Sequence, residues 1–466
     1  MRVIPFVTLF LVGITASSGI AGQLSADPAN STWRSAVYHG GSDYEFAQRL
    51  AVDRQGNTYL LGRTSSADMH PSVVPVSTAS GEPASATFVL KINPDGQTVY
   101  ATSIGTGFGF LPLDIAIGAD GSPHVLTCDG DVAHVLKLEP GGGRTEYHII
   151  FNGLDRDGLY PKAIAVDTAN HAVIAGWSER GIFVARLDAR GSVFDIDVIP
   201  MQADARDVAV DEAGDAYIVG TIASDVLPST SGAFQPRYNN AVCTAAGAPG
   251  SGSLPRVPCL DVFILKLTRD GQIAYATYFG GSGLDEVHAV IVDRAGAAII
   301  GGLTRSVDLP TARAVQPECK SGFAPLACGD AFIAKLDPTG SSLVFATYLG
   351  GTDTEIINSL AVDDAGLVYA AGSITGSGLP VYRAPQSASG GGETDGFVAA
   401  FAPQGNLLWA TYVGGKESES IVGVGAAAGF VYFGGETTSS SWAIGGAPFH
   451  GGRDLFSARV LDPGGR

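Results

Sequence analysis

One sequence unit returns throughout residues 31–466, and a returning unit restricts the fold more than any composition can. Its clearest copy opens with Tyr278-Phe279-Gly280-Gly281 and continues through Val290-Ile291-Val292-Asp293 and Ala298-Ile299-Ile300-Gly301-Gly302-Leu303-Thr304. It then runs through Asp330-Ala331-Phe332-Ile333-Ala334-Lys335-Leu336-Asp337 and Leu343-Val344-Phe345-Ala346-Thr347. Tyr348-Leu349-Gly350-Gly351 starts the next copy at once, and Tyr412-Val413-Gly414-Gly415 another. Segments of the Ala-Val-Asp kind occur seven times: Leu50–Asp53, Ile115–Gly118, Ala165–Asp167, Ala209–Asp211, Ile291–Asp293, Ala361–Asp363 and Gly423–Gly425. The second and third units are short and degenerate, and the seventh has lost its Asp.

Each unit holds four strand signals. They are a small-apolar run ending in Asp, a Tyr/Ile-rich run ending in Gly-x-Thr, a Phe-x-Ala-Lys-Leu alternation, and a Leu-x-Phe/Tyr-Ala-Thr run. In the third, Phe332, Ala334 and Leu336 share one face, with Ile333 and Lys335 on the other. Asp53-Arg54-Gln55-Gly56, Asp211-Glu212-Ala213-Gly214, Asp293-Arg294-Ala295-Gly296 and Asp363-Asp364-Ala365-Gly366 link first to second strands, and Asp337-Pro338-Thr339-Gly340 links third to fourth. Asp accepts a backbone bond at a turn start and Gly takes the positive-φ position, so these read as tight turns. A calcium loop needs further alternating oxygen ligands that these sets lack.

The expected fold is all-β, a seven-bladed β-propeller of four-stranded antiparallel blades. The last unit ends after a third-strand segment, Leu455 to Val460, without its fourth strand. Trp33-Arg34-Ser35-Ala36-Val37-Tyr38-His39-Gly40-Gly41 repeats the Trp409–Gly415 pattern and supplies it from the other end of the chain. The N-terminal strand should therefore pair into the last blade and leave no open sheet edge there.

Tyr-Leu-Gly-Gly at 348–351, Ala-Val-Asp at 361–363 and Asp-Ala-Phe-Ile-Ala-Lys-Leu-Asp-Pro-x-Gly at 330–340 resemble the SBBP-type β-propeller repeat of bacterial secreted and surface proteins. The resemblance covers nearly all of residues 31–466 and implies a propeller and export, with no catalytic signature to carry over.

Arg2 followed by the apolar run from Val3 and then by Ala16, Ser17, Ser18, Gly19 and Ala21 reads as a signal peptide. Cleavage is expected after Ala21, with Ser18 as the alternative, giving a leader over 1–21, a short linker over 22–30 and a single propeller domain over 31–466. The run is too short for a comfortable span, so no membrane span is expected after cleavage. Five cysteines suit an oxidising compartment, extracellular or periplasmic. Cys243 and Cys259 bracket one loop and Cys319 and Cys328 another, and disulfides are expected at both. No C-x-x-C spacing supports zinc, so no metal and no cofactor are expected, and Cys128 is left as a buried free thiol. The net charge of −18 repels phosphate backbones, which excludes nucleic acid as a partner. A monomer is expected.

Strand direction puts the Asp-x-x-Gly turns on one face of the propeller and the insertions Ser65–Ser85, Ser224–Leu260, Ser306–Gly329 and Thr375–Thr394 on the other. Function gathers on such loops above a rigid scaffold. Glu45, Asp285, Glu355 and Glu419 recur in the connections between units, as do Gln48, Lys162, Arg206, His288 and Asn358 three residues later. With the first strand innermost, both sets crowd the channel mouth and form a candidate ligand-binding site. The competing reading is hydrogen bonding between blades, repeated because the unit is repeated. Gly250-Ser251-Gly252-Ser253 has no helix behind it to make a nucleophile elbow, and the dispersed histidines have no metal-ligand spacing. The expected function is a secreted, non-enzymatic binding or scaffold module for a protein, glycan or envelope component. The alternative is an extracellular glycan lyase or hydrolase pairing carboxylates such as Glu355 with His288 or Arg206.

Overall fold

The computed structural model describes residues 33–66, 68–69, 86–106, 110–152, 158–244, 256–321, 328–442 and 448–462. The expected leader, the linker and the Gly250–Ser253 segment lie outside these residues. Seven four-stranded antiparallel sheets form the blades. Blade 1 comprises Glu45–Val52, Thr58–Thr64, Ala86–Ile92 and Thr98–Thr106. Blade 2 comprises Phe110–Ile117, Pro123–Asp129, Val132–Leu138 and Thr145–Asn152, and blade 3 Tyr160–Val166, Ala172–Ser178, Gly181–Leu187 and Val193–Ile199. Blade 4 comprises Asp204–Val210, Ala216–Ile222, Asp261–Leu267 and Ile273–Phe279, and blade 5 Asp285–Val292, Ala298–Thr304, Ala331–Leu336 and Leu343–Leu349. Blade 6 comprises Glu355–Val362, Val368–Ile374, Asp395–Phe401 and Leu407–Val413. Blade 7 joins Glu419–Ala427, Phe430–Thr437 and Asp454–Leu461 to Trp33–His39 from the other end of the chain.

The first strand of every blade touches the first strands of its two neighbours, so these strands line the central channel. Both faces of each blade are buried against neighbours. Phe332, Ala334 and Leu336 pack toward blade 4, whereas Ile333 of the same strand packs toward blade 6. That is why the middle strands read as unbroken apolar runs rather than alternating ones. The circle closes as the repeat pattern requires, with Ala36 opposite Ala458 and Tyr38 opposite Phe456.

The Asp-x-x-Gly turns are as expected. Asp53 accepts the Gln55 and Asn57 amides at 3.0 and 2.8 Å, and Gly56 sits at φ 82°, where a side chain is strained.

The long insertions are less free than the sequence suggests. In blades 4, 5 and 6 each begins as a strap that folds back over the outer strand of its own blade. Leu227, Leu309 and Leu379 donate their amides to Tyr278, Tyr348 and Tyr412 at 2.8–3.1 Å. Gln235, Gln316 and Gln386 then bond the Thr before that Tyr, and their side chains accept the amide of the following Gly. The straps thus occupy edges that would otherwise be open for pairing. Blades 2 and 3 have only tight turns, Gly130-Asp131 and Glu179-Arg180, where the others insert.

Candidate functional site

The structure separates the two sets of polar residues that the repeat spacing brought together. Glu45, Asp285, Glu355 and Glu419 open their first strands fully buried in the junctions between blades, not at the channel mouth. Each faces an Asp that begins, or for Asp330 immediately precedes, the third strand of the preceding blade: Asp454, Asp261, Asp330 and Asp395 respectively. The first Gly of the Tyr-x-Gly-Gly turn lies between them. A Cβ on Gly280 would stand 2.8 Å from both Asp261 Oδ1 and Asp285 Oδ2, so only glycine fits.

The carboxylate closes the junction by gripping that turn. Glu45, Asp285 and Glu419 accept the Gly41, Gly281 and Gly415 amides at 3.2, 2.8 and 2.8 Å. They also accept Thr64, Thr304 and Thr437 hydroxyls at 2.7, 2.5 and 2.6 Å. Blade 6 departs from this. Its second strand places Ile374 opposite Glu355, and neither Glu355 oxygen closes a hydrogen bond. Burial pushes Glu355 up to about 8, reinforced by Asp330 and Asp353. Burial raises Asp285 to about 7 and Asp261 to about 6. Glu45, Asp285 and Glu419 are thus structural clasps, which is the competing reading of the sequence.

Gln48, Lys162, Arg206, His288 and Asn358 have a different origin. Every first strand carries a β-bulge, and these five residues are the extra positions in blades 1, 3, 4, 5 and 6. A bulge turns its extra side chain out of the ladder, here on the strands that line the channel. Gln48, Lys162 and Arg206 are exposed, whereas His288 and Asn358 are half-buried. Asn358 donates to the Ile421 carbonyl of blade 7 at 2.9 Å and so serves as a tie between blades. Burial holds His288 down at about 4, helped by the Arg206 and Arg49 charges, which keeps the ring neutral.

The residues just after the bulges escaped sequence reasoning. Asp114 accepts the Ile164 amide at 2.8 Å, Asp207 the Val290 amide at 2.7 Å, and Ser359 the Val424 amide at 3.2 Å, each from a blade further along the ring. Burial raises the pKa of both Asp114 and Asp207, while Arg49, 3.6 Å from Asp114, pulls the other way. Their signal was present: each lies four residues before the turn position of its unit.

A cavity of about 700 Å³ lies at the face opposite the straps. Arg54, Glu212, Arg294 and Asp364, the second residues of the Asp-x-x-Gly turns in blades 1, 4, 5 and 6, line it together with Ala428 of blade 7. Lining from five blades places it over the channel axis. Its charges are partly self-satisfied, with Arg294 on Asp364 at 2.7 Å.

Both expected disulfides are present, Cys243–Cys259 and Cys319–Cys328. The second is tied to a clasp: Asp330 accepts the Lys320 and Ser321 amides, each at 3.0 Å. Cys128 is free but only half-buried, not buried as expected, because it lies near the end of a strand at the uninserted turn of blade 2. No helix among the described residues is long and apolar enough to cross a membrane.

No protein-family profile and no curated protein matches the chain. Solved structures do align along most of its length. A virginiamycin B lyase from Staphylococcus aureus covers 91% of this chain and 98% of its own at 10% identity, TM-score 0.48. The Pan2 WD40 domain of Neurospora crassa covers 94% and 97% at 9% identity, TM-score 0.47. A gluconolactonase of Xanthomonas campestris covers 84% and 96% at 12% identity, TM-score 0.36.

Proposed function

We propose that the protein is a secreted, non-catalytic recognition module of the SBBP repeat kind, holding an anionic glycan of the cell envelope at the strap-side mouth of its channel. The observation that carries this is the set of first-strand bulges, which present Gln48, Lys162 and Arg206 to solvent on the channel-lining strands. Amide, ammonium and guanidinium groups suit sugar hydroxyls and carboxylates. The reading is favoured over a lyase or hydrolase because the carboxylates put forward for acid–base work, Glu355 among them, are enclosed in junctions. The disulfides accord with export.

The test is retention of the pure protein on isolated peptidoglycan and on polygalacturonate beads. The wild type should be retained, and Lys162→Ala/Arg206→Ala should be retained at least tenfold less, while Arg144→Ala on an outer turn stays like wild type. Equal retention of all three would overturn the proposal, and depolymerisation of either polymer by the wild type would replace it with the enzymatic alternative.

A further inference from the structure

The outer strand of blade 3, Val193–Ile199, like that of blade 2, has no strap over it. In blades 4 and 6 the corresponding strand is shut beneath a strap, and Ala276, Tyr278, Ala410 and Tyr412 are at most 3% exposed. Blade 3 has no insertion to form a strap. Phe194, Ile196 and Val198 are 53%, 45% and 37% exposed. Ile196 and Val198 lie on the face turned to blade 2, since they pair with Ala185 and Phe183, which pack there, while Phe194 stands at a bulge with its ring against His171. Among the described residues this strand pairs only with Gly181–Leu187, leaving its other edge unpaired. The strand holds no Lys and no Pro, and among the described residues no loop covers it; its edge is guarded only by a bulge at Phe194 and by the inward-turned Asp195 and Asp197.

The opposite face of the strand is acidic. Asp195 and Asp197 share one buried guanidinium, Arg186, at 3.1 and 2.6 Å, so one negative charge is left over. Two chemistries therefore alternate along the edge, apolar toward blade 2 and anionic toward blade 4. A second copy of this chain paired edge to edge would set acid against acid, which is unfavourable, and the whole chain carries −18. The chain's own straps are no match either. They need the Tyr and Thr of the outer strand, and at those register positions blade 3 has Val198 and Asp197.

We propose that the outer strand of blade 3 is a docking edge for an extended segment of another protein, one that alternates apolar with basic residues and adds to the blade as a fifth strand. Main-chain bonds to the open edge supply affinity, and the side-chain alternation supplies selection. This surface is remote from the channel bulges, so it stands or fails apart from the glycan reading.

The probe is a fluorescein-labelled peptide of sequence Lys-Val-Lys-Ile-Lys-Val-Lys, followed by anisotropy against the full chain, with Glu-Val-Glu-Ile-Glu-Val-Glu as its counterpart. The basic peptide should bind at least tenfold more tightly than the acidic one. Ile196→Asp, at an exposed position, should abolish binding with an unchanged circular dichroism spectrum. Asp195→Asn, which leaves Asp197 on Arg186, should weaken the basic peptide several-fold and lessen its salt dependence. Equal binding of both peptides, or no binding, overturns the proposal. So does a dimer in sedimentation velocity that Ile196→Asp dissolves, since the occupant would then be a second copy.

Discussion

Glu355 states the energetics of the junctions in a single side chain. Its counterparts keep a Thr hydroxyl and a turn amide, whereas Ile374 replaces the Thr and leaves the carboxyl without a bond. A carboxyl raised to about 8 on folding binds a proton that the unfolded chain releases in the ordinary Glu range. The contribution of this group to stability is greatest below that range, declines as the pH rises, and levels out above about 8. Asp285, at about 7, acts in the same direction. A tenfold difference in proton affinity between the folded and unfolded chain corresponds to about 1.4 kcal/mol. Glu355→Gln should therefore stabilise the protein at pH 8 by about 2 kcal/mol or more and change little at pH 4. Ile374→Thr should do part of the same by restoring a donor. Urea unfolding at the two pH values measures both, and a Glu355→Gln variant no more stable than the wild type at pH 8 would refute the account.

At the scale of the element, the straps are the part of the fold that the sequence disguised as loop. Tyr348 shows why they hold: its hydroxyl accepts the Leu309 amide at 2.8 Å and donates to the Ser306 carbonyl at 2.9 Å, all out of contact with water. Tyr348→Phe strands both partners, which costs about 1–3 kcal/mol for an unsatisfied buried group. The fold should survive, but the strap should open more often than the sheet beneath it. Limited proteolysis between Ser306 and Gly329 should accelerate several-fold in the variant, and cleavage at the wild-type rate would show that Tyr348 does not hold the strap. The strap residues were legible in retrospect as Leu-Pro followed by Gln, at Leu227-Pro228 with Gln235, Leu309-Pro310 with Gln316 and Leu379-Pro380 with Gln386. Their partners were not, because a loop's docking place is set by an outer strand tens of residues away.

For the whole molecule, stability rests on circular closure. Blade 7 is assembled from the two ends of the chain, and Ala36 and Ala458 meet there as buried register partners. Antiparallel partners stand about 4.5–5.5 Å apart at Cα, within the span of a disulfide. Ala36→Cys/Ala458→Cys should cross-link on oxidation and stabilise by about 2–4 kcal/mol. Intact-mass measurement and thermal melts with and without reductant check this. Failure to cross-link would mean that the circle closes elsewhere. The blade count, the closing strand and both disulfides were readable from the repeat and its interruptions. For the repeated acids the sequence left two roles open, ligand binding and hydrogen bonding between blades, since spacing places a residue along a strand without saying which side of the strand faces a neighbour.

The sequence alone determined the unit, its four strands and their number, because a segment that cannot bury both faces by itself repeats until its copies bury one another. Tertiary structure alone decided what the recurring polar residues do. A carboxylate at the start of a first strand meets a turn, a Thr and a second carboxylate that come from three separate elements, and only packing sets their distances. The bulge beside it, one residue out of step, sends the next polar side chain toward the channel instead.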